Sequence, residues 1–249
     1  MLEIKQIQKL FHEHLLLFMH TTTKTILITG ISKGIGNGLA TTLQALGHDV
    51  IGTTRKPIIL KDIPQVFSLD LTDYNSIERL SKKLIADRVS IDMVINNAGI
   101  GSDYYKYLSK EENFELRFQT HLFGTFAFTE AILPLIKHGG KIINISSKLA
   151  SFESIDSIDT AKLSWTKSAY IMSKASLNMY TKILANRLKD QNIEVLSIHP
   201  GWVKTSLSQT NVNAPLNIQE SVNGILKLLE TSKKSGTFWD ATTQLELKW

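Results

Sequence analysis

The glycine turn near the start of the chain constrains its fold most. A short apolar run, Thr25-Ile-Leu-Ile-Thr-Gly30, is followed by Ile31-Ser-Lys-Gly-Ile-Gly36 and then by a helix-like stretch. This order predicts a strand, a tight turn and a helix. Unpaired N–H groups and the dipole at the start of such a helix favour an anion such as a pyrophosphate. The spacing is not the Gly-x-Gly-x-x-Gly fingerprint, so a purely structural glycine turn is the alternative.

Strand and helix patterns alternate along the remainder of the chain. Strands are predicted near residues 25–29, 50–54, 66–68, 93–96, 141–146, 194–199 and 236–239, and helices over 34–46, 74–87, 110–137, 167–189 and 219–229. Such alternation implies right-handed crossovers and a parallel sheet covered by helices on both faces. We therefore predict one α/β domain, a Rossmann-like doubly wound parallel sheet, over residues 21–249.

Small polar residues follow several of the predicted strands. The runs are Asp92-Met-Val-Ile-Asn-Asn-Ala-Gly99, Lys141-Ile-Ile-Asn-Ile-Ser-Ser147 and, after a later strand, Pro200-Gly201. In open α/β sheets, ligands bind outside the carboxyl ends of the strands. These residues are therefore expected at one edge of the sheet, beside the glycine turn.

The run Tyr170-Ile-Met-Ser-Lys174 places a phenol and an ammonium four residues apart in a predicted helix. Residues at that spacing share a helix face. A tyrosine has an ordinary pKa of about 10, and a nearby positive charge favours its ionised form. The pair is a candidate acid/base device, and an ordinary surface helix is the alternative.

Taken together, these motifs resemble the short-chain dehydrogenase/reductase family from Lys24 to Trp249. The resemblance implies an NADP-dependent oxidoreductase with Ser147, Tyr170 and Lys174 as catalytic residues; Ser146 is the alternative serine. It is closest to carbonyl reductases, because the segment between Ser147 and Tyr170 is long. The implied reaction is reduction of an aldehyde, ketone or quinone to an alcohol, with Tyr170 as the acid/base.

Two other functions are compatible with the motifs. One is a reductase of acyl-carrier or hydroxysteroid substrates, against which the long segment and Trp202 argue. The other is a non-catalytic NADPH-binding sensor or interaction protein on the same fold. A sensor would be expected to lack one of the three catalytic residues, and all three are present here.

The resemblance also indicates which residues contact the cofactor. They are Gly30, Ser32, Lys33, Gly34, Ile35, Gly36, Arg55, Asp70, Leu71, Asn97, Ala98, Gly99, Tyr170, Lys174, Pro200, Gly201, Val203 and Thr205. An acidic residue after the second strand selects NAD, and a basic one accommodates the 2′-phosphate of NADP. No carboxylate occurs between Val50 and Lys61, whereas Arg55 follows the strand and Lys33 lies in the glycine turn. We therefore predict NADP(H), because an Arg can bind a phosphate with two parallel hydrogen bonds.

One residue departs from the family pattern. The stretch Gln119-Thr-His-Leu-Phe-Gly124 places His121 where the family commonly has an asparagine that supports a proton-relay water. Three roles remain open for His121: it holds a relay water, it hinders the relay, or it serves packing alone.

Composition limits the partners. The formal net charge is +5, and the basic residues are scattered, so nucleic acid is not an expected partner. The chain has no cysteine, which excludes a disulfide framework and thiolate chemistry, and its seven histidines show no metal-ligand spacing. We expect a cytoplasmic protein with a small-molecule carbonyl substrate and no bound metal. Monomer and homo-oligomer are both open.

Residues 1–20 precede the predicted domain as an extension. Their apolar run, Leu15-Leu-Leu-Phe-Met19, is far shorter than the roughly 18 residues of a membrane span. No small-residue cleavage site follows, so no signal peptide is predicted. The extension is either a short amphipathic helix or upstream sequence before a true start at Met19, and we favour the second.

Overall fold

A computed structural model describes residues 22–103 and 105–249, so the extension lies outside the described residues. Their strands form one eight-stranded sheet in the order β3-β2-β1-β4-β5-β6-β7-β8. The strands are β1 Thr25–Ile28, β2 Asp49–Thr54, β3 Gln65–Ser68, β4 Ile91–Asn96, β5 Ile136–Ile145, β6 Glu194–His199, β7 Thr237–Asp240 and β8 Leu245–Leu247. Neighbouring strands are parallel, except that β8 pairs antiparallel with β7.

Helices connect the strands. They are α1 Gly34–Ala45, α2 Tyr74–Ala86, α3 Lys110–Phe118, α4 Thr125–Ile132, α5 Phe152–Ile155, α6 Trp165–Arg187 and α7 Ile218–Leu229. A π-helical turn, Gln119–Gly124, joins α3 to α4. Ser109 caps α3 and Asn217 caps α7, each in a capping box with a glutamate at the third helical position. These reciprocal bonds satisfy N–H groups that a helix start leaves unpaired.

Apolar residues cover both faces of the sheet. Along β1, Ile26 and Ile28 belong to a core that includes residues of α1 and α7, whereas Leu27 faces a second core with residues of α2, α4 and α6. This alternation follows from the two-residue period of a strand. The predicted Rossmann-like, doubly wound single domain is confirmed.

The prediction of a helix over residues 110–137 was wrong at the C-terminal end. The helix ends at Ile132, a short turn Leu133–Leu135 follows, and the chain enters β5 at Ile136. Pro134 explains the early end, because proline lacks the N–H that a continuing helix needs. The antiparallel β8 was also not predicted, since its three residues carry too short a pattern.

Candidate active site

The carboxyl ends of β1 and β4 are joined by hydrogen bonds. The Thr29 hydroxyl oxygen accepts from the backbone N–H groups of Asn97 and Ala98, both at 3.0 Å. The Asn97 amide donates to the carbonyls of Thr29 at 2.9 Å and Gly30 at 3.1 Å. The glycine turn and the Asn-Asn-Ala-Gly segment, far apart in sequence, are therefore one structural unit.

Close packing explains two glycines of this unit. Gly30 has a φ of +74°, and a Cβ there would lie 2.7 Å from the Cα of Ala98. A Cβ on Gly36 would lie 2.3 Å from the Asn97 amide nitrogen. Any other residue at either position would push the turn away from β4.

The start of α1 can receive an anion. Lys33 occupies the cap position and provides no side-chain hydrogen bond to the first-turn N–H groups, which include those of Ile35 and Gly36. A cavity of about 410 Å³ adjoins Gly34 and is bordered on its other side by Lys204, Thr205 and Ser206. Free N–H groups, a helix dipole and a nearby lysine suit a phosphate, so these residues fit the predicted pyrophosphate.

The segment after β6 closes this cavity. Gly201 has a φ of +90°, and a Cβ there would lie 2.4 Å from Leu216. Val203 is buried and bridges to Leu216, while the Pro200 carbonyl accepts from Ser221 of α7 at 2.7 Å. The segment is thus held on the α7 side of the sheet, with Thr205 directed at the glycine turn.

The residues expected at the ribose and adenine differ in exposure. Ser32, Lys33 and Arg55 are exposed at the carboxyl edge. Asp70 accepts hydrogen bonds from the N–H of Thr72 at 2.9 Å and from its hydroxyl at 2.7 Å. Leu71 is buried in the second core, so its side chain has a packing role in this structure.

The three predicted catalytic residues come together where β5 ends. Ser147 is buried, and its hydroxyl lies near enough to Tyr170 to lower the pKa of the phenol by hydrogen bonding. Lys174 is 5% exposed and donates to the carbonyl of Ile145 at 2.7 Å. The structure thus joins Ser147, not the alternative Ser146, to the tyrosine.

Burial sets the protonation of this group. It raises the pKa of Tyr170 above its ordinary value, although the hydrogen bond with Ser147 opposes the shift. Burial lowers the pKa of Lys174 to about 7. Near neutral pH the phenol therefore keeps its proton, while the lysine can gain or lose one.

His121 lies in the π-helical turn and links two elements of the site. Its Nε2 accepts from the backbone N–H of Ile100 at 3.0 Å, and its Nδ1 lies 2.8 Å from the Ser173 hydroxyl. That hydroxyl donates to the Tyr170 carbonyl at 2.8 Å, so its oxygen must accept a hydrogen bond from the Nδ1–H group. Burial lowers the pKa of His121 well below its ordinary value, and the charge of Lys174 adds to the effect. The histidine is neutral, and neither ring nitrogen is free to bind a relay water.

Sequence reasoning missed Asp103. Its carboxylate accepts from the Ser208 hydroxyl at 2.6 Å and from the Gln209 N–H at 2.7 Å. Beneath it, the fully buried Arg117 donates to the carbonyls of Asp103 and Asn113. Asp103 therefore ties the segment after β4 to the segment that follows Thr205. No local motif marks it, because the two partners are distant in sequence.

An α/β sheet with a glycine turn at its edge and a Ser-Tyr-Lys group beside it defines a class of nucleotide-dependent acid/base enzymes. Comparison with known proteins specifies the family. Residues 24–215 match the short chain dehydrogenase family model. The chain belongs to the short-chain dehydrogenase/reductase family, whose members are NAD(P)-dependent oxidoreductases, and the resemblance seen in its sequence is confirmed.

Three relatives illustrate the likeness. Retinol dehydrogenase 13 of Mus musculus is 32% identical over 206 residues, 75% of this chain and 60% of that protein, so the chain spans less than two thirds of that relative. The carbonyl reductase Sniffer of D. melanogaster matches with a TM-score of 0.76 and 25% identity, covering 92% of this chain and all of that one. An NADPH-bound carbonyl reductase from chicken fatty liver has a TM-score of 0.75 and 26% identity over 91% of this chain and 99% of that chain.

No helix of residues 22–103 and 105–249 combines the length and apolar character that crossing a membrane requires.

Proposed function

We propose that this chain reduces a carbonyl compound to an alcohol with NADPH as the hydride donor. The observation that carries the proposal is that Ser147 adjoins Tyr170 where β5 ends and that Lys174 is buried one helical turn further along the same face of α6. The likeness in fold to two carbonyl reductases supports the substrate class.

Each catalytic residue has a distinct task. Ser147 donates a hydrogen bond to the carbonyl oxygen and so holds it beside the phenol. Tyr170, protonated near neutral pH, gives its proton to the oxygen as negative charge develops there. Lys174 then returns a proton to the phenol, which its pKa of about 7 permits. NADPH supplies the hydride when bound.

Basic side chains support NADPH over NADH. Arg55 follows β2 and Lys33 lies in the glycine turn, and both are exposed at the edge where the ribose of a dinucleotide binds. No carboxylate lies between Val50 and Lys61 to repel a 2′-phosphate. The remaining cofactor contacts are proposed to be those named from the sequence, with Asp70 rather than the Leu71 side chain facing the adenine.

The test is a screen of aldehydes, ketones and quinones that follows NADPH oxidation by absorbance, with NADH in parallel. Reduction of at least one class by the wild type, and loss of that activity in Tyr170→Phe, is the expected result. If NADPH binds but no carbonyl is reduced, the non-catalytic sensor is the better description. A preference for acyl thioesters or steroids would favour the other reductase classes.

A further inference from the structure

Three side chains near Lys174 have buried polar atoms without hydrogen-bond partners. The atoms are the hydroxyl oxygen of Ser146, both amide atoms of Asn178 and Nδ1 of His199. A buried polar group left unpaired is unfavourable by about 1–3 kcal/mol, and internal water molecules commonly satisfy such groups.

Strand register places Ser146 and His199 side by side. Asn144 of β5 is in register with Ser197 of β6, and the side chains of both bond the Thr181 hydroxyl of α6 at 2.8 Å. Side chains two residues further along a strand point to the same face. Ser146 and His199 therefore also face α6, nearer the carboxyl edge of the sheet.

Helix direction brings Asn178 to the same place. Tyr170 lies against Ser147 and Thr181 against Asn144, so α6 runs opposite to β5. Asn178 precedes Thr181 by one turn and therefore lies above Ser146 and His199. The unpaired atoms thus lie on one face of the sheet, between α6 and the carboxyl ends of β5 and β6.

We propose that Ser146, Asn178 and His199 hold a buried chain of water molecules that carries protons between solvent and Lys174. This inference rests on the proposed function, because it assigns the proton supply of that reaction. Lys174 lies one turn from Asn178 on α6 and donates to the carbonyl of Ile145, the residue before Ser146. At the other end, His199 is partly exposed and gives the chain an opening to solvent.

Both ring nitrogens of His121 already have hydrogen-bond partners, so protons must reach Lys174 by a path that does not include this histidine. A relay water cannot bind to that ring, since Ile100 and Ser173 use both nitrogens. His199 has a suitable charge state, because burial lowers its pKa to about 4 and leaves it neutral near pH 7. Its charged neighbours are Asp240 of β7 and Lys148, which act in opposite directions on its pKa.

The protons balance over one turnover. Tyr170 loses its proton to the product oxygen and regains one from Lys174. The nearest water of the chain protonates Lys174, and solvent replaces that proton through His199. One solvent proton thus enters for each alcohol formed, and Ser146 and Asn178 act as positioning residues for the water.

The test replaces Asn178 by leucine, which fills the space and removes both amide atoms, and by serine, which leaves room for water. Asn223→Leu on α7 is the matched control, because it makes the same exchange away from the site. We expect Asn178→Leu to lower kcat roughly ten-fold with little change in the Kd for NADPH, and to increase the solvent deuterium isotope effect on kcat. Asn178→Ser should recover most of the rate, and imidazole buffer should partly rescue Asn178→Leu.

A loss of rate with an unchanged solvent isotope effect and no rescue would overturn the water chain. A second measurement does not depend on turnover: exchange of the Lys174 Nζ protons with water, followed by ¹⁵N NMR, should slow in Asn178→Leu and in His199→Phe, and unchanged exchange in both would also overturn it. If the wild type reduces no carbonyl while exchange still slows in these variants, the proposed function fails and the water chain stands.

Discussion

Lys174 donates a hydrogen bond to the main-chain carbonyl of Ile145 at 2.7 Å, where β5 ends. This bond fixes the amino group of a helical residue against the sheet, one helical turn from Tyr170. Because the amino group is also buried, the pKa of Lys174 falls to about 7. The geometry that holds the lysine therefore also makes it able to exchange protons at neutral pH.

Removing the phenol hydroxyl should abolish chemistry without abolishing cofactor binding. Tyr170→Phe keeps the ring and loses the proton donor, so kcat for carbonyl reduction should fall by about 10²–10⁴-fold with the Kd for NADPH nearly unchanged. Lys174→Ala should lower kcat and also weaken the binding of NADPH. Tyr180→Phe is the matched control on α6, because the Tyr180 hydroxyl bonds Glu130 at 2.9 Å, away from the site. Wild-type turnover in Tyr170→Phe would refute the mechanism.

The rate of reduction should depend on pH around neutrality. Lys174 is protonated below its pKa of about 7 and neutral above it. Reduction consumes a proton that Lys174 supplies, so kcat should be highest at low pH and decline as pH rises through about 7. A rate measured with saturating NADPH between pH 5.5 and about 9 checks this. A kcat that instead rises over the same range would contradict the assigned proton path.

The cofactor preference should depend on Arg55. Arg55→Asp removes a partner of the 2′-phosphate and adds a repelling charge, so the ratio of kcat/KM for NADPH to that for NADH should fall by at least roughly ten-fold. Lys24→Asp is the control, since Lys24 is exposed and precedes β1 at the opposite edge of the sheet. Equal use of both cofactors by the wild type would show that Arg55 does not select NADPH.

His121 should contribute to stability rather than to the proton path. His121→Leu removes the acceptor for the Ile100 N–H and the donor to Ser173, so the free energy of unfolding should drop by about 1–3 kcal/mol. His121→Asn, whose shorter amide can reach only one partner, should lose less. Thermal unfolding measures both variants. A displaced pH profile of kcat in His121→Leu, with stability unchanged, would instead identify His121 as part of the relay.

Asp103 should affect the binding of both NADPH and the carbonyl substrate, because its partners Ser208 and Gln209 border the cavity beside Gly34. Asp103→Ala breaks the bonds to Ser208 and Gln209, so the segment after Thr205 loses its attachment to the segment after β4. Hydrogen bonds to a charged group contribute about 1.5–3 kcal/mol each, and we expect the carbonyl KM to rise roughly ten-fold or more. Asp62→Ala, an exposed position before β3, is the control. An unchanged KM would show that the attachment does not organise the substrate site.

Local sequence patterns determined the order of elements, the doubly wound fold and the positions in the chain of the predicted catalytic and cofactor motifs. The spacing of apolar residues indicates which side chains face a core, and the glycine turn indicates where a phosphate can approach the backbone. The same patterns failed at the end of α4, where Pro134 outweighed the apolar period, and at β8, which is too short to show a period.

Only the tertiary structure decided which side chains meet across the fold. The sequence left three roles open for His121, and its contacts with Ile100 and Ser173 left it no nitrogen for a water. Asp103 and the buried atoms of Asn178 carried no signal, because their roles depend on segments far away in the chain. Hydrogen-bond satisfaction and burial are properties of three-dimensional packing, so a linear pattern does not contain them.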